Sequence, residues 1–379
     1  MPPIRLLAAL PLLCLATAGV PAAAAEPPKT TVYRSGHDGY HTFRIPVLLR
    51  AANGDLLAFA EGRKNGPGDA GDIDLVVKRS TDGGATWGRL QLVQDEWDSP
   101  DAGVTLGNPT PVVDAADPEH PGRVWLLFTR DNDRVFSCFS DDHGATWSDR
   151  VDITADVKDP DWNWYATGPV HGLQLTSGPH AGRLVIPCDH RSRSTGGWGA
   201  HLVYSDDHGR SWQIGARDTT EPDSAVHPNE CVALQLTDGR IYVNARDQHG
   251  ADPATRAVAV SEDGGRSFTA GFRPEPALAS PVVQNSAIAL HDRDGPLIVY
   301  SGPSHPAKRR DMTLRLSRDN AATWAERCVV GAGPAAYSDL ARLADNRVGL
   351  LYEAGDKLYD QIVFCSFDLD ELDWQPTPQ

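Results

Sequence analysis

The sequence predicts an all-β chain folded as a six-bladed β-propeller of four-stranded antiparallel blades. Three observations carry that expectation. A short phrase, Ser-x-Asp-x-Gly-x-Thr/Ser-Trp/Phe, occurs five times, at 80–87, 140–147, 205–212, 261–268 and 317–324, the last with Ala321 in place of Gly. The leading serines lie 60, 65, 56 and 56 residues apart, and a repeat at such a period marks an array of like units. Short β-rich runs flank the copies, such as Ile73 to Val77 and Val124 to Thr129. Each unit therefore reads as strand, tight turn, strand, the pattern of a propeller blade with long loops.

Each phrase has the chemistry of a turn. Its Asp can accept hydrogen bonds from backbone N–H groups two or three residues on, and its Gly supplies positive φ. The closing Thr-Trp starts a strand whose indole can pack between neighbouring repeats. The Asp-x-Asp-x-Asp-Gly spacing of a calcium loop is absent, so these aspartates read as turn scaffold rather than metal ligands. A sixth of the 354 residues beyond Ala25 is 59, close to the repeat. Ser366-Phe-Asp368 with Trp374 reads as a degenerate sixth copy. A strand near Thr30 to Arg34 is expected to complete the last blade and close the ring.

The first 25 residues read as a secretory signal. Met1-Pro-Pro-Ile-Arg5 supplies the positive charge, Leu6 to Val20 the apolar run, and Pro21 to Ala25 an Ala-x-Ala end. Fifteen apolar residues are too few to span a bilayer comfortably. Leu13 before Cys14 is not the small residue a lipoprotein signal requires. Residues 26–379 are then one domain, expected to be a secreted or periplasmic monomer without a membrane span. With 35 Lys and Arg against 51 Asp and Glu, the net charge is −16. That excludes nucleic acid and anionic membranes as partners and makes any local cluster of arginines informative. Five cysteines follow the signal (Cys138, Cys188, Cys231, Cys328 and Cys365), none in Cys-x-x-Cys. They read as buried strand residues, and the odd count leaves at least one unpaired or paired between chains.

Taken in order, several segments carry potential chemistry. Phe43-Arg44-Ile45-Pro46 places an arginine at the head of an apolar strand. His37 and His41 are four apart, but Gly39 and Pro46 argue against a metal-binding helix there. Glu61-Gly62-Arg63 runs into a glycine-rich loop with Asp69, Asp72 and Asp74, either a solvated acidic loop or a flap carrying a general acid. Trp162-Asn-Trp164-Tyr165 is blade packing or pocket lining, with packing favoured. His190-Arg191-Ser-Arg193 reads as a polar loop. A hairpin through Thr237-Asp-Gly239 would bring Glu230 and Arg246 together, as an ion pair or as two walls of one site. Lys308-Arg309-Arg310, Tyr337 and Glu353 follow on later strands.

Together these residues resemble the exo-sialidases across nearly the whole chain beyond the signal. The repeated phrase is similar to the Asp-box of that family, and Arg44-Ile45-Pro46 resembles its Arg-Ile-Pro motif. The resemblance implies that Arg44, Arg246 and Arg309 form a triad for the substrate carboxylate, with Arg310 the alternative to Arg309. It implies Arg63 as a fourth pocket arginine and Asp69 as the acid/base, with Asp72 or Asp74 as alternatives. Tyr337 would be the nucleophile, Glu230 its partner, and Glu353 the anchor of Arg44. Sialylated oligosaccharides, glycoproteins or glycolipids are the implied partners, with no metal and no cofactor.

The chemistry of the substrate agrees with these roles. Sialic acid bears a carboxylate on its anomeric carbon, which guanidinium groups hold through charge-assisted, bidentate hydrogen bonds. A neutral phenol avoids the repulsion a carboxylate nucleophile would meet there, and sialidases with a Tyr nucleophile are a recognised exception among glycosidases. A phenol titrating near 10 needs a base, for which Glu230 is placed. Asp69 would protonate the leaving oxygen and then deprotonate the incoming water, giving net retention. Two alternatives stand: a non-catalytic sialic-acid-binding propeller, and a trans-sialidase or anhydro-forming enzyme on the same framework.

Overall fold

Each of the five repeated phrases folds into the same hydrogen-bonded turn. In the first, Ser80 Oγ donates to Asp82 Oδ1 at 2.8 Å and accepts from Gly84 N at 2.8 Å, while Asp82 Oδ1 accepts from Thr86 N at 2.9 Å. The same contacts recur around Asp142, Asp207, Asp263 and Asp319. The aspartates are thus consumed by their own turns. Ala321 closes its turn at φ 64°, its N–H donating to Ser317 Oγ at 3.0 Å.

The chain, seen here in a computed structural model, is described over residues 27–96, 103–250, 254–292, 294–324, 326–344 and 347–377. The expected signal, residues 1–25, lies outside these. No helix among the described residues is long and apolar enough to cross a membrane.

Antiparallel strands form four blades in succession. The first holds Thr42–Arg50, Leu56–Arg63, Ile73–Ser80 and Gln91–Gln94, the second Leu106–Asp114, Arg123–Arg130, Arg134–Ser140 and Val151–Asp152. The third holds Trp162–Thr167, Leu184–Ser192, Trp198–Ser205 and Gln213–Thr219, with Leu173–Gln174 paired alongside. The fourth holds Pro228–Gln235, Ile241–Asp247, Arg256–Ser261 and Arg273–Glu275. Among the described residues the remainder is one eight-stranded sheet, so six separate blades are not what they form. The reason is a single 17-residue strand, Glu326–Arg342. Its first half pairs with Arg310–Ser317 and its second with Arg347–Ala354, joining what would otherwise be two sheets. Thr30–Arg34 pairs with Gln361–Asp368 at the far edge of this sheet, tying the chain's start to its end as expected. Asp368 instead caps a 3-10 turn, Leu369–Glu371, rather than opening a sixth copy of the phrase.

Neighbouring blades nest through the turns. A Cβ added at Gly84, Gly144 or Gly209 would meet Phe364, Leu57 or Trp125, each on the preceding sheet, within 2.0–2.7 Å. The tryptophans behave as anticipated: Trp87 packs edge-on to Phe364, Trp147 to Phe59 and Trp212 to Trp125. The five cysteines beyond the leader are buried; Cys188 lies in the cluster between the second and third blades and Cys231 in that between the third and fourth. Near the axis, the fully buried Asp339 joins three elements. It accepts from Leu48 N (3.0 Å), from His171 N (3.1 Å) and from Ser286 Oγ (2.7 Å), with His171 Nδ1 at 2.8 Å. Burial lowers the His171 imidazole, but the Asp339 carboxylate outweighs it and raises its pKa.

Turn glycines at the nested positions are therefore required. Gly84→Ala combines φ +91° with a clash on Phe364 and is expected to cost about 2–5 kcal/mol. Ala321→Gly should change stability by about 1 kcal/mol or less, since relief at φ 64° offsets added chain freedom. Urea midpoints of the two variants check this, and equal stability for both would contradict it.

Candidate active site

The first strands of the blades carry irregularities at the same end, and these aim side chains inward. Register shifts occur between Arg44 and Val47, Gly107 and Thr110, Trp162 and Trp164, Pro228 and Cys231, and Ala335 and Ser338. Extra residues of this kind bend a strand and redirect what it bears, commonly beside active sites. In the first blade the cause is local. Pro46 has no N–H for the ladder, and Ile45 adopts φ 59°, an outlier for a β-branched residue. Its N–H turns to Glu353 Oε1 at 3.1 Å, and Arg44 is carried into the ring. Asn108 before Pro109 repeats the device at φ 58°, its N–H on Glu61 Oε1 at 3.0 Å.

These side chains line a cavity of about 280 Å³, which includes Arg44, Arg63, Asp69, Glu230, Arg246, Arg309 and Tyr337. Seven of the eight sequence-predicted site residues thus meet, and the eighth, Glu353, lies directly behind them. Glu353 is fully buried and takes Arg44 Nε at 2.7 Å and Tyr337 N at 3.1 Å in addition to Ile45 N. One carboxylate therefore fixes Arg44 and the backbone of Tyr337 together. Burial would lower the Arg44 pKa, but Glu353 and two flanking tyrosines outweigh it and raise it.

Tyr337 Oη donates to Glu230, 2.6 Å from Oε1 and 2.8 Å from Oε2. Arg246 Nη1 bridges the pair, donating to Glu230 Oε2 at 2.7 Å and to Tyr337 Oη at 2.9 Å. Glu230 and Arg246 are thus both an ion pair and two walls of the site. Burial and the Glu230 charge push the Tyr337 phenol well above its usual range, against the pull of Arg246, Arg44 and Arg309. The phenol is neutral at rest, with its base already in contact.

Arg309 lines the cavity, whereas Arg310 is exposed and donates to Asp311 Oδ2 at 3.0 Å. Among the described residues, the hydrogen bonds of Arg309 go to uncharged acceptors: the Val282 carbonyl (2.8 Å from Nη2) and Tyr359 Oη (2.8 Å from Nη1). Its charge is left for a ligand. Asp69 is the member of its loop that reaches the cavity. Asp72 pairs with Lys64 Nζ at 2.9 Å, and the buried Asp74 accepts from Tyr40 Oη at 2.8 Å. Asp69 Oδ1 accepts from Arg63 Nη1 at 2.7 Å, and its side chain is 85% exposed, so the carboxyl faces incoming ligand. The cavity walls partly desolvate the Asp69 carboxylate and push its pKa up, but Arg63, Arg44 and Arg309 overcome this and hold the acid below its ordinary value. Arg63 is itself buried and locked by Glu61 Oε2 at 2.7 Å.

Asn108, Asn132, Trp164 and Trp198 also line the cavity. The aromatic segment divides: Trp162 and Tyr165 are buried, while Trp164 lines the cavity edge-on to Trp198 at 5.3 Å. The polar loop expected at His190 is a strand. His190 is fully buried and stacks on Trp162 at 3.9 Å, and the alternation of buried His190 and Ser192 with exposed Arg191 and Arg193 was the available signal. Asn108, Asn132, Trp198, Gln248 and Tyr359 went unread because each sits outside any motif.

Among the described residues, one group is close enough to hold a metal: Asp114, Asp117 and His208. Asp114 Oδ1 already accepts from Ala116 N, Asp117 N and Gln174 Nε2, and Oδ2 faces His208 Nδ1 at 2.9 Å. These contacts make it a structural knot, and none of the three lines the cavity.

The family model described as BNR repeat-like domain matches residues 54–351. A sialidase of Micromonospora viridifaciens is 33% identical over 352 residues, covering 85% of this chain and 51% of that protein. An exo-alpha-sialidase of Aspergillus fumigatus is 28% identical, covering 87% of this chain and 85% of its own length. A solved Hadza microbial sialidase superposes with a TM-score of 0.80 at 26% identity, over 91% of this chain and 69% of that one. The chain spans about half the length of the Micromonospora protein. Matched by the repeat model over most of its length and by a sialidase at one-third identity, the chain belongs to the sialidase family built on BNR repeats.

Proposed function

We propose that this protein is an exported, retaining exo-α-sialidase that removes terminal α-linked sialic acid from glycans. The observation that carries the proposal is the Tyr337–Glu230–Arg246 contact set facing two further arginines in one cavity. Three guanidinium groups around one point suit a substrate carboxylate, and a cavity of about 280 Å³ suits one terminal sugar. With the carboxylate on Arg44, Arg246 and Arg309, Glu230 accepts the Tyr337 proton as the phenol oxygen attacks the anomeric carbon. Asp69 protonates the departing glycosidic oxygen. In the second half-reaction Asp69 takes a proton from water, the water oxygen attacks the same carbon, and the released phenolate recovers its proton from Glu230. Two displacements give retention. The apolar leader supports export.

A general acid must be protonated, and the arginines hold Asp69 below its ordinary pKa in the empty site. A bound carboxylate offsets the positive charge of Arg44 and Arg309, which raises the Asp69 pKa in the complex. The high-pH fall in kcat should therefore lie above that in kcat/KM for hydrolysis of a fluorogenic α-sialoside. Asp69→Asn should remove this fall and lower kcat by about 10²–10⁴-fold. Coincident high-pH limbs, or a limb that survives in Asp69→Asn, would exclude Asp69 as the acid.

A further inference from the structure

Tyr359 lies on the short loop between strands Arg347–Ala354 and Gln361–Asp368, half-buried beside Ile45, Ala336 and Tyr337. Its backbone has φ 70°, a left-handed conformation that costs an ordinary residue about 1–2 kcal/mol. The surroundings hold it there. The Tyr359 carbonyl accepts from Ser35 Oγ at 2.7 Å, and the Asp360 carbonyl accepts from Ser35 N at 2.9 Å. The strained residue aims its ring into the arginine cluster. The Arg44 guanidinium carbon lies 3.8 Å from the ring centroid, and Tyr359 Oη accepts from Arg309 Nη1 at 2.8 Å. Tyr359 is not among the residues lining the cavity.

Arg44 and Arg309 carry like charges that repel, and they are far apart in sequence, Arg44 on strand Thr42–Arg50 and Arg309 on the loop before strand Arg310–Ser317. A carboxylate between them would hold both strongly but would neutralise the charge meant for a ligand, as Glu353 partly does for Arg44. A phenol gives Arg44 a cation–π face and Arg309 an acceptor while adding no charge. We propose that Tyr359 is a positioning residue that sets the separation and orientation of Arg44 and Arg309, and so the affinity of the site for a substrate carboxylate. The assignment rests on the cavity receiving such a carboxylate, as proposed above. Tyr359 touches neither the reacting atoms nor the acid, so its loss acts on binding more than on turnover.

The test compares Tyr359→Phe, Tyr359→Leu and the unaltered full chain. The readouts are kcat and KM for a fluorogenic α-sialoside, the calorimetric Kd for free sialic acid, and the thermal midpoint. Tyr359→Phe keeps the stacked ring and loses the acceptor; KM and Kd should rise about 10-fold with kcat changed less than about threefold. Tyr359→Leu loses both contacts and should raise KM and Kd about 50-fold. A purely structural role predicts the reverse split, with Tyr359→Phe matching the unaltered chain and Tyr359→Leu losing kcat and thermal midpoint together. That outcome overturns the assignment, as do unchanged KM and Kd in both variants, and each leaves the sialidase proposal intact. An unaltered chain that neither cleaves the sialoside nor binds sialic acid overturns both.

Discussion

Tyr337→Phe lowers kcat by roughly three orders of magnitude or more, with the Kd for sialic acid changed only a few-fold. The phenol oxygen is the group in contact with both the base and the bridging arginine, at 2.6 Å from Glu230 and 2.9 Å from Arg246. Its removal takes away the nucleophile while Arg44, Arg246 and Arg309 keep their other partners. A covalent step lost outright leaves only the acid and the electrostatics of the pocket, which explains a large fall without a total one. The fold should tolerate the change, since the ring stays packed beside Ile45, Val283 and Ala336. Steady-state kinetics together with calorimetry check both halves. A kcat within tenfold of the unaltered enzyme would assign the nucleophile elsewhere.

Glu353→Gln is the second large effect, and it falls on stability and activity together. Glu353 has no exposed surface, and its two oxygens take Arg44 Nε, Ile45 N and Tyr337 N. An amide of the same shape offers one acceptor oxygen in place of two, and its NH2 must face one of those donors. Arg44, 4% exposed, is left without its closest counter-charge. Breaking a buried ion pair from one side costs about 3–5 kcal/mol. The denaturation midpoint should fall accordingly, and the folded fraction should show a raised KM because Arg44 and the Tyr337 backbone lose their common anchor. Glu353→Gln with unchanged midpoint and KM would mean that Arg44 is held by other contacts, Tyr359 foremost.

The repeats made most of the architecture legible. A turn that needs Ser, Asp and Gly at fixed offsets leaves a mark in sequence wherever it occurs, and even Ala321 did not hide the fifth copy. The number of sheets was less accessible, because continuity of Glu326–Arg342 through two sets of partners depends on pairing rather than composition. Singly, an arginine before Ile-Pro or a glutamate heading an apolar strand says little; in their joint order, which resembles that of the exo-sialidases, the charged site residues were legible. Tyr359 was not, because its role comes from a left-handed backbone and a ring placed between two distant arginines. Trp198 and Asn108 were hidden in the same way: their meaning lies in the bulges and strand ends that gather them. The buried His190 shows the converse error, since a polar composition concealed a strand's alternation.

The most direct test is to follow hydrolysis of an α-sialoside by purified protein with NMR from the first turnovers. The mechanism proposed for Tyr337, Glu230 and Asp69 predicts that α-sialic acid forms first and then mutarotates to the β anomer. Initial release of the β anomer, an anhydro sugar as the first product, or binding without any release would contradict it.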